Sequence, residues 1–158
     1  MIAIVAIDRR FTLDSNILVY AVDAAAGPKQ EVSQRIVVAA ARFDCVLTLQ
    51  AVSEFYWVAA RKRIVPAADA AERANDLLTA FPCVPASESA IRAALSHAVA
   101  GRAAYWDALL VSTAAEAGCN LLLTEDMHAG TSLSGVQIHH PFGPDGVLSD
   151  VTRQLLDL

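Results

Sequence analysis

Cysteine, lysine and long apolar runs are all scarce in this 158-residue chain. The cysteines Cys45, Cys83 and Cys119 lie far apart with no CxxC pair, which argues against a disulfide framework or a cysteine-based zinc site. The apolar run at residues 2–7 is too short for a signal peptide, and no run approaches the roughly 18 residues of a membrane helix. We therefore expect a cytoplasmic protein of a reducing compartment that has no contact with a membrane.

Basic residues are also few. The 12 Lys+Arg stand against 17 Asp+Glu, a formal charge of -5, which argues against a protein that holds nucleic acid by a broad basic surface. The chain is 55% hydrophobic and 18% charged, which excludes intrinsic disorder, and its length fits one domain with a real core. The acidic balance leaves open a site that gathers carboxylates around a metal ion.

What the chain does contain is a regular alternation of short apolar strands and helical segments. The predicted strands are residues 11–13, 45–48, 83–84, 120–124 and 136–139. The predicted helices are residues 29–42, 50–62, 66–80, 87–99 and 103–117, the last closed by Gly118. This order predicts an α/β fold in which a mainly parallel sheet is covered by helices on both faces. Ligands of such sheets bind beyond the carboxyl ends of the strands.

Acidic residues are predicted to meet at that edge. Asp14 ends the first strand, and Asp126 follows the 120–124 strand with Glu125 before it. Glu54 and Asp107 lie early in helices that begin at the same edge, and their aromatic and aliphatic neighbours do not suit a solvated face. Each acid alone is explained by a turn, a helix cap or an exposed helix face. Together they favour a shared site.

Carboxylates that stay ionised together at neutral pH need a cation. Oxygen ligands favour Mg²⁺ or Mn²⁺ over Zn²⁺. Such a site suits phosphodiester hydrolysis, in which a metal-activated water attacks the phosphate. Asn16 and Thr124 are placed to orient a carboxylate or a water, although ordinary turn and strand-end hydrogen bonding explains both residues equally well.

The segments that carry these acids resemble the motifs of the PIN-domain ribonucleases, specifically the VapC toxins of bacterial toxin–antitoxin pairs. In order, they are Leu13-Asp14-Ser15-Asn16-Ile17-Leu18, Ser53-Glu54-Phe55, Trp106-Asp107-Ala108 and Leu123-Thr124-Glu125-Asp126. The resemblance implies a three-layer α/β/α sandwich with a central mainly parallel sheet. It also implies RNA cleavage with one or two Mg²⁺ or Mn²⁺ ions, a homodimer, and a cognate VapB-type antitoxin whose tail occupies the active-site groove.

Carried over position by position, Asp14, Glu54, Asp107 and Asp126 match the acids that serve the family as catalytic residues and metal ligands. Glu125 stands beside Asp126 and either substitutes for it or assists it. The resemblance places a nuclease domain at residues 11–142. Residues 1–10 are then an N-terminal extension, interpreted as an extra strand, an arm or an early start, and residues 143–158 a C-terminal tail.

The only dense basic run is Arg61-Lys62-Arg63. It is interpreted either as a solvated helix end or as a contact for RNA phosphates or an acidic antitoxin segment. The aromatic pairs Tyr56-Trp57 and Tyr105-Trp106 are interpreted as core or dimer-interface residues, with base stacking as the alternative.

Other reaction classes find less support. His128, His139 and His140 match no common metal-ligand spacing, and neither GxSxG nor a glycine-rich phosphate loop occurs. A Mg²⁺-dependent phosphoryl-transfer enzyme with Asp14 as acceptor is disfavoured because no lysine follows Lys62. A non-catalytic binding module remains an alternative, although every acidic position is occupied. The sequence thus predicts a metal-dependent endoribonuclease that acts as a toxin.

Overall fold

A computed structural model describes residues 9–158. The predicted N-terminal extension therefore lies outside the described residues except for its last two. The helices are α1 (Ser15–Val22), α2 (Pro28–Ala40), α3 (Leu49–Arg61), α4 (Ala67–Ala80), α5 (Glu88–Val99), α6 (Tyr105–Glu116) and α7 (Asp150–Leu156). The strands are β1 (Phe11–Leu13), β2 (Leu47–Thr48), β3 (Cys83–Val84), β4 (Leu121–Leu123), β5 (Ser132–Leu133) and β6 (Val136–His139).

The sheet is mainly parallel, as predicted. β4 pairs in parallel with β1 on one side and β6 on the other, and β5 adds an antiparallel edge. β2 and β3 form a second parallel pair. A parallel bridge between Phe11 and Cys45 joins this pair to β1. The strand order across the whole arrangement is therefore β3-β2-β1-β4-β6-β5.

Helices cover both faces of the sheet. The side chains of β1 and β4 are all buried, as expected for central strands of a parallel sheet. Val46 clusters with Ala114 of α6, whereas the next residue, Leu47, belongs to the main core with Phe55 of α3. Because successive strand residues point to opposite faces, α6 and α3 lie on opposite sides. The three-layer α/β/α sandwich is confirmed.

Local capping places the helix starts next to the strand ends. Asp14 is the N-cap of α1 directly after β1, and Thr48 caps α3 directly after β2 by accepting the Ala51 N–H. At the other end of α6, Gly118 has a φ of +83° and terminates the helix as predicted, because glycine adopts this left-handed conformation without steric cost. The helix starts and strand ends together form one edge of the sheet.

Three elements were not predicted. The apolar stretch 15–22 forms α1, in which Ile17, Leu18 and Val19 are buried. The short β5 is joined to β6 by a two-residue loop with positive φ at both positions, Ser134 and Gly135, which is typical of a type I′ hairpin turn. The segment assigned to a C-terminal tail contains α7, which packs on α2. No helix in residues 9–158 is both long and apolar enough to cross a membrane.

Candidate active site

Asp14 lies at the centre of the predicted acidic edge. It is only 4% exposed, and hydrogen bonds occupy both of its carboxylate oxygens. The Ser15 N–H donates to Oδ1 at 2.7 Å, and the Thr124 hydroxyl donates to Oδ2 at 2.6 Å. The structure thus holds a carboxylate in a fixed orientation inside the protein, in addition to its role as helix cap.

A continuous path of hydrogen bonds extends from Asp14 in both directions. On one side, Thr124 Oγ1 accepts the Asp126 N–H at 3.1 Å. On the other side, Ser15 Oγ lies 3.4 Å from Asp14 Oδ1 and donates to Glu54 Oε2 at 3.0 Å.

The path continues from Glu54 to the third helix of the site. Gln50 Nε2 donates to Glu54 Oε1 at 2.8 Å and to the carbonyl oxygen of Trp106 at 3.0 Å. Trp106 directly precedes Asp107 in the first turn of α6. The four predicted acidic positions are therefore tied to one polar network, two through their carboxylates and two through the neighbouring backbone.

The carboxylates affect one another electrostatically. Burial raises the pKa of Asp14 to about 6, against the opposing effect of the hydrogen bonds from Thr124 and Ser15, and the charges of Asp126 and Glu54 add to the increase. Burial also raises the pKa of Asp107, and the same two charges contribute. The site concentrates negative charge where water is partly excluded, which favours a bound cation.

Glu125 occupies a different position from its neighbour Asp126. Its Oε2 accepts from Lys29 Nζ at 2.8 Å, and its Oε1 accepts the hydroxyl of Tyr20. Burial opposes ionisation, but the hydrogen bonds from Lys29 and Tyr20 hold the pKa of Glu125 below its ordinary value. Both oxygens of Glu125 are thus engaged by donors from α1 and α2, whereas Asp126 is exposed.

Two amide side chains at the site have unused hydrogen-bonding capacity. Both side-chain polar atoms of Asn16, and Oε1 of Gln50, are buried and have no hydrogen-bond partner in the part of the chain that the structure describes. Buried polar atoms of this kind usually have a partner, so a bound ion, water or substrate group is the natural complement. Asn16 was predicted as a supporting residue, but Gln50 was not. Gln50 could have been identified from its spacing, because residues i and i+4 of a helix lie on the same face and Gln50 is four residues before Glu54.

The donor set suits a hard divalent cation in chemistry and charge: carboxylate and amide oxygens, with one carboxylate fully enclosed. As the side chains stand, no group of three His, Cys, Asp or Glu residues within 9–158 is close enough to hold a metal ion. The histidines give no zinc site there either. His128 is exposed, and the His140 ring pairs with the Met127 carbonyl at 2.7 Å.

The basic run and both tryptophans lie at the surface, whereas Tyr105 is half-buried against the cluster of Ala90, Ala94, Ala108 and Leu109. Trp57 is 60% exposed and Trp106 63% exposed, so the interpretation of these two residues as core is wrong. The Trp106 ring meets the Tyr105 ring edge to face at 5.0 Å, but most of each indole surface is open to solvent. Arg61, one turn after Trp57 on α3, places its guanidinium 5.7 Å from the Trp57 ring centre. An exposed aromatic and a cation therefore adjoin on the helix that carries Glu54.

Comparison with known proteins identifies the family. The family model for the PIN domain matches residues 11–129, a span that contains all four predicted acids. No curated protein matches the chain closely enough to be counted as a relative.

Solved structures share the fold at low sequence identity. VapC20 of Mycobacterium tuberculosis, described as a sarcin-ricin loop cleaving toxin, is 14% identical with a TM-score of 0.58, covering 73% of this chain and 91% of its own. VapBC2 of Rickettsia felis, solved with a DNA fragment from its promoter, is 12% identical with a TM-score of 0.59, covering 82% and 97%. On the family match, this chain belongs to the PIN domain family.

Proposed function

We propose that this protein is the toxin of a toxin–antitoxin pair and acts as a Mg²⁺- or Mn²⁺-dependent endoribonuclease. The observation that carries the proposal is the hydrogen-bond path from the Asp126 backbone through Thr124, Asp14, Ser15 and Glu54 to Gln50 and α6. This network links the segments that carry the four acids and holds the carboxylates of Asp14 and Glu54 directly. A purely structural explanation would not require the pKa values of both Asp14 and Asp107 to be raised by burial and by the charges of Asp126 and Glu54.

Asp14, Glu54, Asp107 and Asp126 would hold one or two Mg²⁺ or Mn²⁺ ions. When bound, the metal would lower the pKa of a water and offset the charge that develops on a phosphodiester. The protein's own contribution is orientation. Thr124 and Ser15 hold the Asp14 carboxylate, and Gln50 holds Glu54, so that these two groups are oriented before a substrate binds.

Metal removal and loss of one acid test this proposal. We expect the purified protein to cleave RNA with Mg²⁺ or Mn²⁺ and to lose cleavage in EDTA. Asp107→Asn is expected to lower the cleavage rate at least 100-fold, because it removes one carboxylate from the proposed metal ligands. The measurement is a time course of RNA fragments resolved by size, repeated with each metal.

Asp69→Asn is the matched control, since Asp69 is likewise an acid in the first turn of a helix but lies on α4 and is exposed. It should cleave like the unaltered protein. Cleavage that survives EDTA or Asp107→Asn would contradict the metal-dependent mechanism. A protein that binds RNA but cleaves none under any metal would instead be a non-catalytic binding module.

We propose Arg61 as an RNA contact, beside the exposed ring of Trp57. Lys62, the C-cap of the same helix, and Arg63, which follows it, complete the basic run. A cation next to an exposed aromatic on the helix of Glu54 suits a phosphate and its neighbouring base.

Arg61→Met is expected to raise the KM for RNA about three- to tenfold with little change in kcat. It should also reduce the slope of log affinity against log salt by about 1, because one phosphate contact is lost. Arg92→Met, which removes the arginine of an exposed ion pair on α5, is the control. If both variants behave alike, Arg61 is only a solvated helix end.

We also propose a homodimer and a VapB-type antitoxin as partners. The Rickettsia felis neighbour, VapBC2, supports the antitoxin partner. In this chain, an apolar groove of about 640 Å³ between α1, α2 and α4 is lined by residues such as Val22, Val38 and Leu77, and would accept apolar antitoxin side chains. Ile91, Leu95 and Val99 form an exposed aliphatic stripe on α5, which suits a second copy. The antitoxin is tested by co-purification with the product of a neighbouring small gene. The homodimer is tested by light scattering, which should give twice the mass of one chain.

A further inference from the structure

A cluster around Glu125 joins four separate parts of the chain. Lys29 of α2 forms the ion pair with Glu125, and Tyr20 of α1 donates to the same carboxylate. The ammonium of Lys29 also lies 5.1 Å from the ring centre of Tyr20 and 5.2 Å from that of Phe142. The two rings meet edge to face at 5.8 Å. We call Tyr20, Lys29 and Phe142 the Glu125 clamp.

The clamp acts on the residue next to a proposed metal ligand. The side chains of Lys29 and Glu125 are only 32% and 23% exposed, so their attraction is screened less than that of a surface pair. Asp126 directly follows and is tied to the acidic network through Thr124. Within two residues, one carboxylate is thus held by a cation while the other is left exposed near Asp14 and Asp107.

We propose that Tyr20, Lys29 and Phe142 are positioning residues that keep Glu125 out of the metal site, so that Asp126 alone provides the fourth acid. The inference rests on the proposed metal-dependent function. Without Lys29, the Glu125 carboxylate loses its ion-pair partner and keeps only the Tyr20 hydroxyl and the weaker influence of His140. A divalent ion held by Asp126 would then be able to attract it. Metal affinity rises with the number of carboxylates at a site, but a metal held by Glu125 is no longer placed for RNA.

Removing Lys29 should raise the affinity for Mn²⁺ if Lys29 has this role, whereas loss of a purely structural ion pair should leave the affinity unchanged or lower it. Lys29→Met keeps most of the apolar stem and removes the charge. We expect it to bind Mn²⁺ at least fivefold more tightly, measured by calorimetry on the full chain, and to cleave RNA at least tenfold more slowly. Tyr20→Phe, which frees only one oxygen of Glu125, should shift Mn²⁺ affinity in the same direction by about twofold.

A double variant separates the released carboxylate from any loss of packing. In Lys29→Met/Glu125→Gln the side chain is neutral, so Mn²⁺ affinity should return to within twofold of that of the unaltered protein and cleavage should recover. Arg92→Met removes the cation of the exposed pair with Glu88 and should change neither quantity.

Mn²⁺ binding and RNA cleavage by the unaltered protein separate a failure of the clamp role from a failure of the proposed nuclease function. If the unaltered protein binds Mn²⁺ and cleaves RNA, but Lys29→Met binds Mn²⁺ equally or more weakly, the clamp is merely structural and this inference is wrong. A further loss of RNA cleavage in Lys29→Met/Glu125→Gln, relative to Lys29→Met, would also show that the clamp is merely structural. If the unaltered protein neither binds Mn²⁺ nor cleaves RNA, the proposed function fails and the inference fails with it.

Discussion

Asparagine in place of Asp14 is expected to abolish RNA cleavage and, at the same time, to make the metal-free protein more stable at neutral pH. Asp14 is 4% exposed, yet at pH 7 it carries a charge near those of Asp126 and Glu54. Asparagine has the same shape, and its carbonyl can accept the Ser15 N–H. The substitution therefore removes a charge that destabilises the folded chain while it removes a proposed metal ligand.

The pH dependence follows from the direction of the pKa shift. Folding raises the pKa of Asp14 from 3.8 to about 6, so the folded chain binds this proton more tightly than the unfolded chain does. The stabilisation from a protonated Asp14 is complete below about pH 3.8 and is lost as the pH rises through about 6. The shift corresponds to at most roughly 3 kcal/mol, or several degrees in thermal midpoint for a chain of this size.

Thermal unfolding in EDTA at pH 7.5 and at pH 4.5 measures this effect. The Asp14→Asn variant should unfold several degrees higher at pH 7.5, and the advantage should shrink at pH 4.5. Asp69→Asn, at an exposed position, should show neither change. Saturating Mn²⁺ should stabilise the unaltered protein but not Asp14→Asn. A variant that is less stable at pH 7.5, or that still cleaves RNA, would show that Asp14 is only a helix cap.

The candidate acids could be predicted because they depend on rules of chain order. In a parallel sheet, strand ends and the following helix starts share one edge, which places Asp14, Glu54, Asp107 and Asp126 without knowledge of any contact. The choice between Glu125 and Asp126 could not be made in this way. Glu125 is paired with Lys29, 96 positions away, and sequence spacing carries no information about such a pairing.

The missed elements have local physical causes. The stretch that forms α1 is short and almost wholly apolar, so its periodicity does not distinguish a buried helix from a strand. The aromatic pairs were interpreted as core or dimer-interface residues from their helical spacing, but Trp57 and Trp106 are exposed on their helices. The core interpretation is therefore wrong for these two, and the dimer-interface interpretation stays a prediction. Exposure of this kind depends on which neighbours pack against a helix, and that is decided by the tertiary fold.

Valine in place of Thr124 is expected to lower RNA cleavage at least 30-fold without unfolding the protein. Thr124 is buried, and its hydroxyl both donates to Asp14 at 2.6 Å and accepts the Asp126 N–H at 3.1 Å. Valine fills the same volume but leaves a buried carboxylate oxygen and an N–H unpaired, at a cost of about 1–3 kcal/mol each. The two acids would then lose their fixed relation.

The same substitution should raise the pKa of Asp14 further, because the Thr124 hydrogen bond lowers it. Carboxyl-carbon NMR of the metal-free protein, labelled at aspartate, measures that change independently of activity. Thr12→Val is the matched control, since Thr12 is also a buried strand threonine but its hydroxyl has no hydrogen-bond partner among residues 9–158. It should leave cleavage and the Asp14 titration unchanged. If Thr124→Val titrates and cleaves like Thr12→Val, then Asp14 is oriented by some other group, and the hydrogen-bond path is a consequence of the fold rather than part of the site.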